Sequence, residues 1–173
     1  MTAETKTLSE TLSLTDYYSK LSRATILGGV WDIIYDRMGS VTAVALSDNT
    51  TSTIKTYTGA FPDQDIDDNS KYPILVVNSP NLEWEPFTLT KKNVNGTFMI
   101  DIYTKKSESA DLFIDAIISA IETYRHTLGK TYGITFVNLE STDYAMEMRG
   151  KIKIHMRSCT FSFKYKFKKV GGT

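Results

Sequence analysis

The feature that most constrains this chain is its closing stretch. From Lys151 to Lys168 apolar and polar residues alternate almost without a break. That period of two suits an extended strand, whose successive side chains point to opposite faces. A strand of this length belongs inside a sheet, where neighbours satisfy its backbone groups. The alternation also changes parity, from Ile152, Ile154 and Met156 to Cys159, Phe161, Phe163, Tyr165 and Phe167. Because a one-residue slip moves an apolar set to the other face, a bulge or bend near Ser158 is expected.

Working back from that strand, Ile134 to Leu139 and Tyr144 to Arg149 read as two shorter ones. Before them, Ala110, Phe113, Ile114, Ile117, Ile121, Tyr124 and Leu128 recur at spacings of three and four, which predicts a helix from about Ser109 to Leu128 ended by Gly129. Asn95-Gly96, between the strand-like runs Phe87–Lys92 and Thr97–Lys105, predicts a hairpin turn. Ile74 to Val77 is a short buried strand stopped by Asn78-Ser79-Pro80. Two weak strands, Val41–Leu46 and Thr53–Thr58, flank the polar turn Ser47-Asp48-Asn49-Thr50.

A first helix is expected from Thr15, its N-cap, to Met38, with Tyr17, Leu21, Ala24, Gly28, Trp31, Tyr35 and Met38 on the buried face and a kink or close packing at Gly28-Gly29. The resulting fold class is α+β. It is a mostly antiparallel sheet with both helices packed on one face, in the order α-(ββ)-β-ββ-α-βββ. Residues 1–14 read as a flexible N-terminal arm, 15–168 as a single domain and 169–173 as a flexible C-terminal tail.

The chain carries no net formal charge, which removes the simplest electrostatic reason for nonspecific binding to nucleic acid or an anionic membrane. Its longest apolar runs, about eight residues, fall well below the roughly 18 to 20 that cross a bilayer, so no membrane partner is expected. Cys159 reads as a small buried apolar residue among aromatics. The histidines, His126 and His155, lack a supporting nucleophile motif, and no phosphate loop, dinucleotide fingerprint or zinc-protease motif occurs. No catalytic, cofactor-binding or metal-binding residue is therefore expected, and the chain is read as a non-enzyme without a cofactor.

Two charged segments compete for a binding role. The acids Asp63, Asp65, Asp67 and Asp68 follow Phe61-Pro62 in a surface loop, but Asp68 and Ile74 stand where a calcium loop needs glycine and a bidentate glutamate. They read as a solvated loop or one that touches a partner. Lys164, Lys166, Lys168 and Lys169 interleave with Phe163, Tyr165 and Phe167, a pattern that can serve single-stranded nucleic acid. Period two instead sends the aromatics to the core and the lysines to solvent.

The element order, the stretches Phe61-Pro62-Asp63 and Lys71-Tyr72-Pro73-Ile74-Leu75-Val76-Val77-Asn78-Ser79-Pro80, and the closing Arg157-Ser158-Cys159-Thr160-Phe161-Ser162-Phe163 resemble tail terminator (tail completion) proteins of long-tailed bacteriophages. The likeness spans residues 15–168. It implies a virion structural protein forming a hexameric ring at the head-proximal end of the tail, assembled in the host cytoplasm. Its implied partners are other copies of itself, the tail tube protein and a head-completion or neck protein, with DNA passing through the lumen without specific binding. The acids at 63, 65, 67 and 68 become expected partner or lumen contacts. The Thr/Ser-rich arm and the hairpin at 41–58 do not fit the family pattern. The alternatives are another neck or tail-completion role, or a nucleic-acid module built on the basic C-terminal strand.

Overall fold

Backbone pairing in the computed structural model, which describes residues 23–38, 43–48, 51–53, 55–59, 72–86 and 91–168, gives an α+β fold. The elements are α1 (Arg23–Met38), β1 (Ala43–Ala45), β2 (Thr51–Thr53), β3 (Lys55–Gly59), β4 (Ile74–Asn78), β5 (Asn81–Pro86), β6 (Lys91–Thr104), α2 (Ser107–Thr127), β7 (Ile134–Arg149) and β8 (Ile152–Lys168). β1 and β2 form a separate hairpin. The main sheet runs β3-β4-β6-β8-β7, with β5 pairing the other half of β6. All its pairings are antiparallel except β3 with β4. Residues 1–14, the start of the expected first helix at 15–22, the acidic loop and the tail from 169 lie outside the described residues.

One face of the sheet carries the main core. Leu75 and Val77 of β4, Phe98, Ile100 and Ile102 of β6, and Cys159, Phe161 and Phe163 of β8 meet Phe113, Ile114, Ile117 and Ile121 of α2. Ile26, Val30, Ile33 and Ile34 of α1 join the same cluster, so both helices lie on one face. Phe98 stacks on Phe161 with ring centroids 5.2 Å apart. Of the stripe expected on the buried face of α1, Gly28 and Trp31 are only half-buried. The helix is apolar on much of its circumference, and the aliphatic stripe wins the core while Trp31 is half-buried. Of the glycine pair, Gly29 is the close-packing site, since a Cβ there would lie 2.9 Å from the Tyr132 ring.

The parity change in β8 has a different cause from the one expected. Pairing of β6 with β8 runs unshifted from Lys91 opposite Lys168 to Thr104 opposite His155, so no bulge occurs at Ser158. The sheet instead changes its covered face. Odd-numbered residues of β8 enter the helix-side core, whereas Ile154, with Ile152 against it, joins Tyr72, Ile74 and Val76 in a second cluster on the opposite face.

Three further expectations are corrected. Asn95-Gly96 is not a turn. Both residues lie inside β6, opposite Glu83 and Leu82 of β5, and the β5–β6 pairing continues to Pro86 opposite Lys92. Gly96 is there because Phe163, directly across on β8, covers it: a Cβ at 96 would stand 2.3 Å from that ring. Gly129 does not end α2. A π-turn from Leu128 to Tyr132 prolongs the helix until Gly133, which adopts φ 74° and whose N–H donates to the Gly129 carbonyl. Finally, the expected strands 134–139 and 144–149 are one strand, β7, kept in register with β8 by two irregularities, between Thr135 and Asn138 and between Leu139 and Ser141.

Candidate interaction surface on the β7 edge

β7 is the last strand of the sheet, and among the described residues nothing pairs with its outer edge. Both irregularities fall in its first half, so Ser141 to Arg149 is a regular strand. This stretch contains no lysine, proline or glycine, and its charged residues are Asp143, Glu147 and Arg149. On the helix side its alternate residues are Tyr144, 49% exposed, Met146, 52%, and Met148, 65%. They extend past the end of the helical layer as an apolar stripe.

The stripe is held in place at one end. The Arg157 guanidinium stacks 4.9 Å from the Tyr144 ring centroid and donates to Asp111 Oδ1 of α2 at 2.6 Å. The Tyr144 hydroxyl and His155 Nδ1 are 2.7 Å apart. A chain of polar contacts therefore links helix, β8 and edge strand, and fixes the Tyr144 rotamer without covering its ring. His155 thus helps to position the Tyr144 side chain.

The other half of β7 contains a second unusual feature. Phe136, at the first irregularity, adopts φ 53° and leaves its ring 68% exposed. A positive φ on a bulky residue costs about 1–2 kcal/mol, and such outliers concentrate at functional sites. The ring stands at the sheet edge between two depressions. On one side is a cleft of about 570 Å³ lined by the basic side chains of Arg125 and Lys130 and by His126, from the end of α2. On the other is a groove of about 300 Å³ containing Asn95, Ser162 and Lys164, with the Lys164 ammonium 5.9 Å from the Phe136 ring centroid.

Of the residues singled out from sequence, Phe163 and Tyr165 are buried and Lys164 is exposed, the segregation expected from period two. Cys159 is fully buried, with its thiol pushed up to about 12 by burial and then by the neighbouring Asp101 carboxylate. Asp63, Asp65, Asp67 and Asp68 lie outside the described residues. Sequence reasoning missed Phe136, Tyr144, Met146 and Met148. The signal was present in Tyr144, Met146 and Met148, a period-two apolar set on a strand with polar residues between, but that pattern describes a core face as well as an exposed one.

Among the described residues no group of three His, Cys, Asp or Glu side chains is placed to hold a metal ion. None of their helices is long and apolar enough to cross a membrane. A comparison with protein-family models and with curated proteins finds no match for this chain.

Proposed function

We propose that this chain is a self-assembling structural subunit of the phage tail-terminator type, which closes into a ring, caps the tail tube and offers a surface for joining the head. The observation that carries this reading is the outer edge of β7 from Ser141 to Arg149, unpaired among the described residues, with its exposed Tyr144, Met146 and Met148. An exposed strand edge binds by main-chain hydrogen bonds, and alternate side chains then add apolar contact.

The sheet topology suits head-to-tail closure. Its ends are β3 and β7, and β3, parallel to β4, runs opposite to β7. A neighbour rotated about an axis along the strands brings its β3 antiparallel to β7, a heterologous contact that uses a different patch on each side of the subunit and can close as a ring. The neighbouring tube and neck proteins then meet the two rims. Another neck or tail-completion role uses the same surfaces. The nucleic-acid reading of the C-terminal strand is weakened by burial of the Phe163 and Tyr165 rings that would have served as platforms.

Native mass spectrometry across a concentration series tests the proposal, comparing the wild type with Met146→Lys/Met148→Lys. The expected outcome is a closed oligomer, hexameric in the family resembled, that the double variant loses while its melting temperature stays within about 3 °C, because exposed charges on an edge block pairing without touching the core. A wild-type monomer at every concentration, alone and with tube protein, would sink the reading.

A further inference from the structure

The order of charges along the outer edge of β7 carries an inference that goes beyond the ring reading and rests on that edge alone. We infer that two copies of this chain pair their β7 edges antiparallel about a two-fold axis at Met146, forming a dimer that holds the ring-closing edge in reserve. The outer edge of a strand presents backbone groups from alternate residues only, so a two-fold pairing must centre on a residue rather than between two. The centres that keep most of the regular stretch paired are Tyr144, Ala145, Met146 and Glu147. Centring on Ala145 sets Asp143 against Glu147 at both ends, and centring on Glu147 sets that carboxylate against its own copy. Centring on Tyr144 leaves Arg149 beyond the regular stretch of the partner copy. Only Met146 as the centre sets Asp143 opposite Arg149 at both ends, with Glu147 opposite Ala145. Like charges placed directly opposite destabilise a strand pair and opposite charges stabilise it, so the charges that deter other strands select this register.

The same register joins the apolar residues. On the helix side Tyr144 meets the partner's Met148 and Met146 meets its own counterpart, so the exposed side chains of both copies form one ladder. On the other face Arg149 lies between its own Glu147, 3.0 Å away, and the partner's Asp143, which is exposed in the single chain. The paired segment runs from Asp143 to Arg149 in each copy. Ile134 and Val137, by which β7 joins the helix-side core, fall outside it and at opposite ends of the shared ladder. Each core therefore stays as it is while the two sheets continue into one. The ring contact needs the same edge, so dimer and ring exclude each other. By mass action dilution favours the dimer, and rising concentration or bound tube protein favours the ring.

The test uses the full chain and mild oxidation of single-cysteine additions, with the wild type, whose Cys159 is buried, as control. Opposed residues of an antiparallel pair stand about 4.5–5.5 Å apart at Cα, within disulfide range. Met146→Cys is expected to crosslink to its own copy at least tenfold faster than Met148→Cys, whose copies lie about 14 Å apart in this register. It is also expected to outpace Ala145→Cys, and the reverse order overturns the inference. Sedimentation equilibrium of the dilute wild type is expected to give a dimer, weakened at least tenfold by Asp143→Arg and largely restored in Asp143→Arg/Arg149→Asp. The crosslinked Met146→Cys dimer is expected to stay out of the ring until it is reduced. In a β3–β7 contact residue 146 never meets its own copy, so rings that form without this crosslink overturn the inference and leave the ring reading standing. A crosslinking dimer that yields no ring at any concentration, alone or with tube protein, sustains the inference and sinks the ring reading. A wild type that is monomeric throughout overturns both.

Discussion

Gly96 and Phe163 stand directly opposite each other on β6 and β8, and the ring of Phe163 occupies the space that a side chain at 96 would take. The ring cannot swing aside, because Phe163 is itself buried against Phe98, 5.9 Å between centroids. Gly96→Ala is therefore expected to destabilise the fold by about 1–3 kcal/mol through overpacking. Phe163→Leu, which retracts the ring tip, should recover part of that loss in the double variant. Urea unfolding of the four proteins measures the coupling, and strict additivity would contradict the contact.

Asp101 and Ser158 form another opposed pair, on the face away from the helices. Asp101 Oδ2 accepts from Asn78 Nδ2 at 2.6 Å, but Asp101 Oδ1 and Ser158 Oγ are buried without a hydrogen-bond partner. An unsatisfied buried hydroxyl costs about 1–3 kcal/mol. Ser158→Ala is expected to be neutral or stabilising by up to about 1 kcal/mol, against the destabilisation usual for a change in a buried strand. A loss above about 1 kcal/mol in chemical denaturation would show that the hydroxyl does bond.

Alkaline pH tests two groups near Asp101. Burial, then the Asp101 carboxylate, pushes the Tyr103 phenol from 10.0 to about 12, and the same two causes push the Cys159 thiol from 9.0 to about 12. Both groups are neutral when protonated, so the unfolded chain releases these protons at lower pH than the folded one. Their contribution is whole below about pH 9, shrinks as pH rises, and is gone above about 12. Melting temperature should fall from pH 9 upward, with a shallower fall for Tyr103→Phe above pH 10. A thiol reagent should leave Cys159 unmodified at pH 8 unless the protein unfolds; rapid labelling of the folded chain would refute its burial.

Phe136 separates backbone strain from side-chain function. Phe136→Gly removes a positive-φ penalty of about 1–2 kcal/mol and little buried area, but adds backbone freedom to the unfolded chain. Its stability is expected to match or exceed that of the wild type, while Phe136→Val should be less stable, since a β-branched residue tolerates that backbone poorly. Thermal unfolding of the pair decides it. Equal destabilisation by both would mean that the ring, despite its exposure, supports the fold.

Much of the architecture was legible where a pattern has a single physical reading. The stripe from Ala110 to Ile121 reads only as an amphipathic helix, and Phe161 and Phe163 only as a buried strand face. Ambiguous signals failed. Asn-Gly at 95–96 suits a tight turn, but a glycine under an aromatic ring gives the same two letters, and only the partner strand distinguishes them. The parity change at Ser158 has two causes, a bulge or a change of covered face, and the second depends on Tyr72 and Ile74, remote in sequence. β5 carries Glu83 and Glu85 beside Trp84 and lacks a strand's usual composition; pairing with β6 determines its conformation. The interaction surface was the least legible part, because exposure of Met146 and Met148 depends on where the helical layer ends.

The unbroken pairing of β6 with β8 has a mechanical consequence. β8 enters the helix-side core through Cys159, Phe161 and Phe163 and the opposite cluster through Ile154, with Ile152 against it, while Gly150 and Lys151 turn the chain at the hairpin tip. Such a strand behaves as a beam clamped at two places on opposite sides. A load applied at the tip or along the β7 edge cannot bend it without disturbing both clamps, so the plate moves as one piece. Displacement at the rim would then reach the helices almost undiminished.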